Sequence, residues 1–267
     1  MDDTQVIRQH YDASVQSEWD RLQRFPFEFA VTKRFIDRYV MPGDRVLDIG
    51  GGPGRYALHL AEKGCQVTLL DLSDENVRFA QEKAQASGLT ITAVQGDARK
   101  ADQFVAGRFD CVLLMGPMYH LLSEAERALA VRAALNTLKP GGILFVSFLT
   151  LNGGSCYFMD IDPALVLEPG EAELLRCYLE NRTYNGDAFT RACFIAMKEI
   201  LPFMAQFPLD KLHLFGQEGI TSPVHSKLCA SDKRVFDRWM DIALQTCERE
   251  ELLAYAAHLM YVGRLQI

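Results

Sequence analysis

The chain has no run of roughly eighteen apolar residues, the length a membrane-crossing helix requires, although apolar residues make up 49% of its 267 positions. A basic-then-apolar start is missing too. MDDTQVIRQHYD is polar, so no signal peptide is expected and a cytoplasmic location is the default reading. Cations are not in excess: 28 Lys and Arg stand against 35 Asp and Glu, a formal charge of −7. That balance argues against a surface built to grip phosphate backbones, so a nucleic-acid partner is disfavoured. The seven cysteines include no C-x-x-C pair and no histidine at zinc-ligand spacing. They read as reduced, mostly buried small hydrophobes, and no metal site is expected. Internal repeats and low-complexity tracts are absent, and oligomeric state cannot be read from the chain.

What is present is alternation. From Arg45 to Thr150 short apolar runs alternate with amphipathic stretches, the pattern of βαβ units and a parallel sheet. Strands are expected at RVLDIG (45–50), QVTLLDL (66–72), TITAVQG (90–96), FDCVLLMG (109–116) and GILFVSFLT (142–150), each nearly continuous in apolar residues as buried parallel strands require. Gly64 closes a helix begun at Arg55, and Ser73 caps one that ends at Gly88. Ser123 and Glu126 form the capping box of a helix running to about Lys139, stopped by Pro140, Gly141 and Gly142.

The expected fold class is therefore α/β, a doubly wound, Rossmann-like, seven-stranded and mostly parallel sheet with a helical insertion or cap after the fifth strand. Residues 1–40 read as an N-terminal helical lid and 41–150 as the ligand-binding core. Residues 151–208 read as a helical cap without strands, one helix carrying Phe189, Ala192, Cys193, Ala196 and Ile200. Residues 209–267 complete the sheet through KLHLFGQEGI and HLMYVGRL.

VLDIGGGPGRY sets Gly50, Gly51, Gly52 and Gly54 between a buried strand and a helix, where backbone must approach a ligand closely. Asp71 ends the second strand, as expected of a carboxylate that accepts from both ribose hydroxyls of a nucleoside. Asp97, in GDAR, lies at the next carboxyl end, where it either accepts an adenine amino group or holds an Asx turn. A dinucleotide fingerprint would need a small residue at position 55, which is Arg55; no Lys-Ser or Lys-Thr follows the glycines, which excludes a kinase-like phosphate loop.

These segments resemble the class I S-adenosylmethionine-dependent methyltransferase family. The likeness rests on DIGGGPG, Asp71, the Gly96-Asp97-Ala98 run, LLMGPMYHL after the fourth strand and LKPGG before the fifth. It is strong from Pro42 to Thr150, weak near the C-terminus, specific for the cofactor and nearly silent on the acceptor. The resemblance implies S-adenosyl-L-methionine as cofactor. Asp48 and the Gly50 to Gly54 loop would serve its methionine end, Leu72 would pack on adenine, Ala98 would offer its amide to a ring nitrogen, and Met115 would line the sulfonium region. The implied activity is in-line methyl transfer to a small-molecule acceptor; GPMYHL in place of an N-P-P-Y motif sets nucleic acid and protein aside.

Candidate catalytic residues are His120, a base or a hydrogen-bonded support, Tyr119, which offers its ring or hydroxyl near the sulfonium, and Tyr11, in a lid like the tyrosine-containing lids of several family members. Trp19, Arg21 and Arg24 would help that lid dock. Aromatic residues of the insertion, among them Tyr157, Phe158 and Phe194, suggest a small, partly apolar acceptor, with oxygen, nitrogen, sulfur and carbon all open. Two alternatives share the loop: a cofactor displacement of another kind, intramolecular cyclisation with release of methylthioadenosine, and a non-catalytic cofactor-binding module.

Overall fold

Side chains on the first five strands alternate between two apolar clusters, which is why these strands form a sheet covered on both faces. A computed structural model describes residues 2–267. It places β1 at Arg45–Ile49, β2 at Gln66–Asp71, β3 at Thr92–Gln95, β4 at Phe109–Leu114 and β5 at Leu138–Leu149. Cys111 and Leu113 of β4 face one cluster together with Ile143 and Phe145 of β5; Val112, Leu114, Leu144 and Val146 face the other. All four pairings among these strands are parallel.

Helices α1 (Asp3–Arg24), α2 (Pro26–Tyr39), α3 (Arg55–Glu62), α4 (Asp74–Ala86), α5 (Ala101–Phe104) and α6 (Glu124–Thr137) follow the punctuation in the sequence. Ser73 accepts from the Asn76 amide at the start of α4, and Ser123 and Glu126 form their reciprocal box on α6. One boundary moves. Helix α6 ends at Thr137, and LKPGG enters the start of β5: the register jumps from Phe109 opposite Leu138 to Cys111 opposite Ile143, with Gly141 at φ +75°.

The insertion departs from its all-helical reading. After α7 (Leu151–Ile161) and α8 (Ala172–Glu180) comes a hairpin of β6 (Tyr184–Asp187) and β7 (Arg191–Phe194), and only then α9 (Met197–Met204). Ala192, Phe194 and Ala196 point into the insertion's own core, whereas Ile195 joins the main one and Cys193 accepts from Arg127 at 3.2 Å. The true period is two. Because both faces are covered, the segment presents a continuous apolar run, and such a run cannot be told from a buried helix by periodicity.

The sheet is completed by β8 (Leu209–Gly216) and β9 (His258–Leu265), with α10 (His225–Cys229) and α11 (Lys233–Thr246) between them. Strand order is β3-β2-β1-β4-β5-β9-β8, and β9 runs antiparallel to both its neighbours. The seven-stranded, mostly parallel expectation holds. The geometry brings the end of β8 and the start of β9 to the edge where β1 and β4 also end. Among the described residues no helix is long and apolar enough to cross a membrane.

Helix α2 is fastened to β8 by Phe35 stacked on Phe215, with ring centroids 3.8 Å apart at an 11° interplanar angle and both side chains fully buried. Phe215→Ala is expected to cost about 3–5 kcal/mol in urea unfolding; a cost below about 1 kcal/mol would show that the stack carries little of the docking.

Candidate active site

In the order β3-β2-β1-β4-β5 the winding reverses between β1 and β4, and ligands of open α/β sheets bind in the crevice outside the carboxyl ends at that point. The two turns bounding the crevice nearly touch. Gly50 has φ +71°, and a Cβ there would lie 2.3 Å from Pro117 Cδ; a Cβ on Gly116 would lie 2.9 Å from the Gly50 carbonyl oxygen. Only glycine fits this approach.

Asp71 holds the loop. Its Oδ2 accepts the Gly52 amide at 2.8 Å, and its Oδ1 accepts the Ser73 amide at 2.9 Å and Asn76 Nδ2 at 3.2 Å. These bonds use about three of the carboxylate's roughly four acceptor sites, leaving one directed to the cavity. Burial pushes its pKa up even so. Asp48 sits behind the loop, with Oδ2 2.7 Å from where a Gly51 Cβ would be, and both its carboxylate oxygens lack a partner. Burial, then the charge of Asp71, raises its pKa to about 7.

A cavity of about 1330 Å³ opens at the crevice. Gly50, Gly51, Gly52, Asp71, Leu72, Asp97, Ala98 and Met115 line it together, as do Tyr11, Tyr119 and His120. Asp48 and Gly54 are not in the lining; Gly54, at φ +90°, is the N-cap of α3. Asp97 is engaged by Arg99, whose Nε lies 3.0 Å from both carboxylate oxygens, and it also caps the Arg99 amide. Despite burial, these bonds hold its pKa below the ordinary value, and the cap on the Arg99 amide is an Asx turn.

Helix α1 runs across the cavity with only Ile7 and Leu22 buried, so polar contacts fasten it. Tyr11 reaches His120 Nε2 at 2.7 Å, while His120 Nδ1 lies 2.8 Å from the Arg191 carbonyl. A carbonyl only accepts, so Nδ1 carries the proton and Nε2 accepts from the Tyr11 hydroxyl. Burial lowers the His120 pKa to about 4. Both ring nitrogens are thereby hydrogen-bonded in this structure. The Tyr119 hydroxyl is 2.6 Å from Ser147 Oγ, which donates to Gln217 Oε1, and Gln217 in turn donates to Thr32 at 3.0 Å. Trp19 docks as expected: Arg55 donates to its carbonyl at 2.7 Å and lies over its ring. Arg24 instead turns back onto Ser17 of its own helix.

A polar cluster that the sequence reading passed over occupies the far wall. Arg21 grips Glu28 through two hydrogen bonds of 2.7 and 3.0 Å, and Glu218 Oε1 lies 2.5 Å from His258 Nδ1. Ligand atoms of Glu28, Glu218 and His258 fall within 4.8 Å of one another, a spacing that could hold a cation. A signal was available. Gln217 and Glu218 directly follow one strand and His258 opens the next, and polar residues at such ends merit assignment once β9 is known to run antiparallel.

A glycine loop at the switch point, an acidic residue ending β2 and a cavity beneath a helical cover are the features with which open α/β sheets bind nucleosides. Residues 46–142 match the family described as methyltransferase domain. It is 35% identical over 174 residues to the ubiquinone biosynthesis O-methyltransferase of Escherichia coli O9:H4 (strain HS), 65% of each chain. The chain spans between about half and two thirds of the curated relatives it matches, 46% and 65% in two of them. Magnesium protoporphyrin IX methyltransferase from Synechocystis PCC 6803, with bound SAH, shares the fold at a TM-score of 0.61 and 16% identity, covering 99% of this chain and 100% of that one. The [4+2]-cyclase SpnF shares it at 0.55 and 21% identity, covering 93% and 81%.

Because the pKa of Asp48 is raised on folding, its stabilising contribution is complete below the unfolded value near 4 and is lost as pH rises through about 7. Asp48→Asn removes that dependence. The variant is expected to gain about 1–3 kcal/mol on the wild type between pH 5 and pH 9 in denaturant melts, and parallel curves would refute the raised pKa.

Proposed function

We propose that the protein transfers the methyl group of S-adenosylmethionine to a small-molecule acceptor held in the same cavity. The observation that carries this reading is the cavity itself: at about 1330 Å³ it exceeds the roughly 300–1,000 Å³ of a single small-molecule site, and its two ends differ. One end has the glycine loop, Asp71, Leu72, Ala98 and Met115. The other has an apolar wall from the insertion, with Phe158, Leu174 and Phe194, beside the polar cluster of Glu28 and Glu218.

The residues present fit the cofactor. Asp71 keeps an acceptor site for a ribose hydroxyl, Asn76 Oδ1 is buried without a partner, and the Asp48 carboxylate behind the loop is uncompensated, which favours a nearby cationic amino group. Loop amides would take the methionine carboxylate, and Leu72 and Ala98 the adenine. The cofactor supplies a methyl group on a positively charged sulfur whose leaving group is neutral, so the protein has mainly to position the acceptor and exclude water. Helix α1 acts as the lid, clasped by Tyr11 on His120, by Ser73 donating to Asp12 at 2.6 Å, by Arg99 donating to Thr4 at 3.1 Å and by Asp3 paired with Arg191 at 3.0 Å.

The relatives' name, an O-methyltransferase of ubiquinone biosynthesis, supports a small acceptor, as does the acidic net charge. Seven free cysteines suit a reducing, cytoplasmic setting. The fold alone does not select the reaction, since a [4+2]-cyclase shares it.

Calorimetry with S-adenosylmethionine and S-adenosylhomocysteine tests the binding half. Asp71→Ala is expected to weaken affinity by about 100-fold or more, through loss of the ribose contact and of the loop's anchor, and Tyr11→Phe by about 5–10-fold through loss of one hydrogen bond of the clasp. Unchanged affinity in Tyr11→Phe refutes the lid. Mass spectrometry after incubation with pooled metabolites should show S-adenosylhomocysteine and a methylated product; methylthioadenosine in its place would mean a cyclising displacement.

A further inference from the structure

We infer that His258, held by Glu218, is the base that takes a proton from the acceptor, and that the acceptor is a hydroxyl on an apolar, ring-bearing small molecule. This rests on the methyl-transfer reading above. The geometry begins with Glu218, whose side chain is 5% exposed and clamped to one residue twice: Oε1 lies 2.5 Å from His258 Nδ1, and Oε2 accepts the His258 backbone amide at 3.1 Å. A carboxylate accepts, so Nδ1 carries the proton of the neutral ring and the lone pair sits on Nε2. Among the described residues Nε2 has no hydrogen-bonding partner, and His258 lines the cavity. Its ring is 5.3 Å from that of Tyr119, in the turn after β4 that faces Gly50. The free nitrogen therefore belongs to the same cavity as the glycine loop and the turn after β4.

Two other bases in the cavity are committed. His120 uses both nitrogens, and Glu28 has both carboxylate oxygens on Arg21. The charged and titratable groups facing His258 are Glu218 beside it, Glu28 from α2, Arg21 from α1 and Tyr119 from the turn after β4. Burial works to lower its pKa, but the two carboxylates outweigh burial and Arg21, and the pKa rises above the ordinary imidazole value. A base so placed works best near and above neutral pH.

A base identifies an acceptor that must lose a proton. A carboxylate arrives ionised and needs none, whereas a hydroxyl oxygen that gains a methyl group must shed its hydrogen. The acceptor O–H bond breaks as its oxygen pair forms the O–CH3 bond; the S–CH3 pair departs with sulfur, now a neutral thioether, and the proton moves to Nε2. Glu218 balances the imidazolium charge. Phe158, Leu174 and Phe194 face the same space and suit an apolar ring. Arg21 engages both oxygens of Glu28, and the Nδ1 proton and backbone amide of His258 engage both oxygens of Glu218, so neither carboxylate lacks a partner.

Two measurements test the inference. Histidine-selective NMR of the ligand-free protein should show His258 titrating above the ordinary imidazole value and falling by about one unit or more in Glu218→Gln; an unshifted pKa overturns the dyad. Steady-state assays on S-adenosylmethionine-saturated enzyme with a panel of simple phenols, catechols, anilines and thiophenols should give methylated phenols or catechols. His258→Gln should lower kcat/KM on them about 10²–10⁴-fold while cofactor affinity by calorimetry stays within about twofold. Glu218→Gln should move the ascending limb of the pH–rate profile to lower pH, and it serves as the second variant where His258→Gln does not fold. Methylation confined to anilines or thiophenols, or of no panel member, overturns the hydroxyl assignment. Near wild-type kcat/KM in His258→Gln, or activity abolished by a chelator and restored by a divalent cation, overturns the base. Failure of the wild type to bind the cofactor overturns the methyl-transfer reading instead.

Discussion

The approach of two turns, one after β1 and one after β4, is the constraint on which the rest of the site depends. Gly50 and Gly116 pass so close that neither tolerates a Cβ, and Pro117 fills the remaining space. That contact sets the floor of the crevice at the switch point of the sheet. With the floor set, the amides of the glycine loop point to one side, Asp71 can reach Gly52 from the neighbouring strand, and the segment bearing Tyr119 and His120 is delivered to the opposite side. A strand-to-helix turn alone would need far less glycine; backbone packed on backbone is the reason for it here.

Around that floor the protein gathers charge that is costly to bury. The Arg21–Glu28 ion pair and the hydrogen-bonded Glu218–His258 pair lie side by side in a cavity wall, and buried charges of this kind contribute little to stability alone, because desolvation consumes much of the Coulombic gain. Each carboxylate is nonetheless hydrogen-bonded on both oxygens, so the groups are held in fixed orientation. Fixed polar groups beside an apolar wall suit a site that must orient a partly apolar molecule.

The cover is built differently. Helix α1 buries little apolar surface and is fastened by polar contacts spread from Asp3 to Arg21, each to a different element of the body. Elements with few buried apolar contacts open at low free-energy cost, and ligands the size of a cofactor need such an opening. The residues that clasp it are those whose roles were ambiguous in sequence. His120 was readable as base or support, and the Arg191 carbonyl that occupies its Nδ1 comes from a hairpin that the sequence pattern did not reveal.

What the sequence determined by itself is local. The five parallel strands, the glycine loop, the acidic end of β2, the N-cap at Ser73 and the capping box at Ser123 were all legible, because apolar periodicity, positive φ and helix capping act over a few neighbouring residues. Tertiary structure alone decided what lies across the cavity from the loop. Glu218 and His258 are 40 positions apart, and Glu28 belongs to a helix near the other end of the chain. They converge because β9 turns back between β5 and β8, bringing its first residue to the carboxyl edge of the parallel strands. No local propensity encodes that return; it follows from which sheet edge remains open once β5 has formed, and so the polar wall of the cavity became visible only in the folded chain.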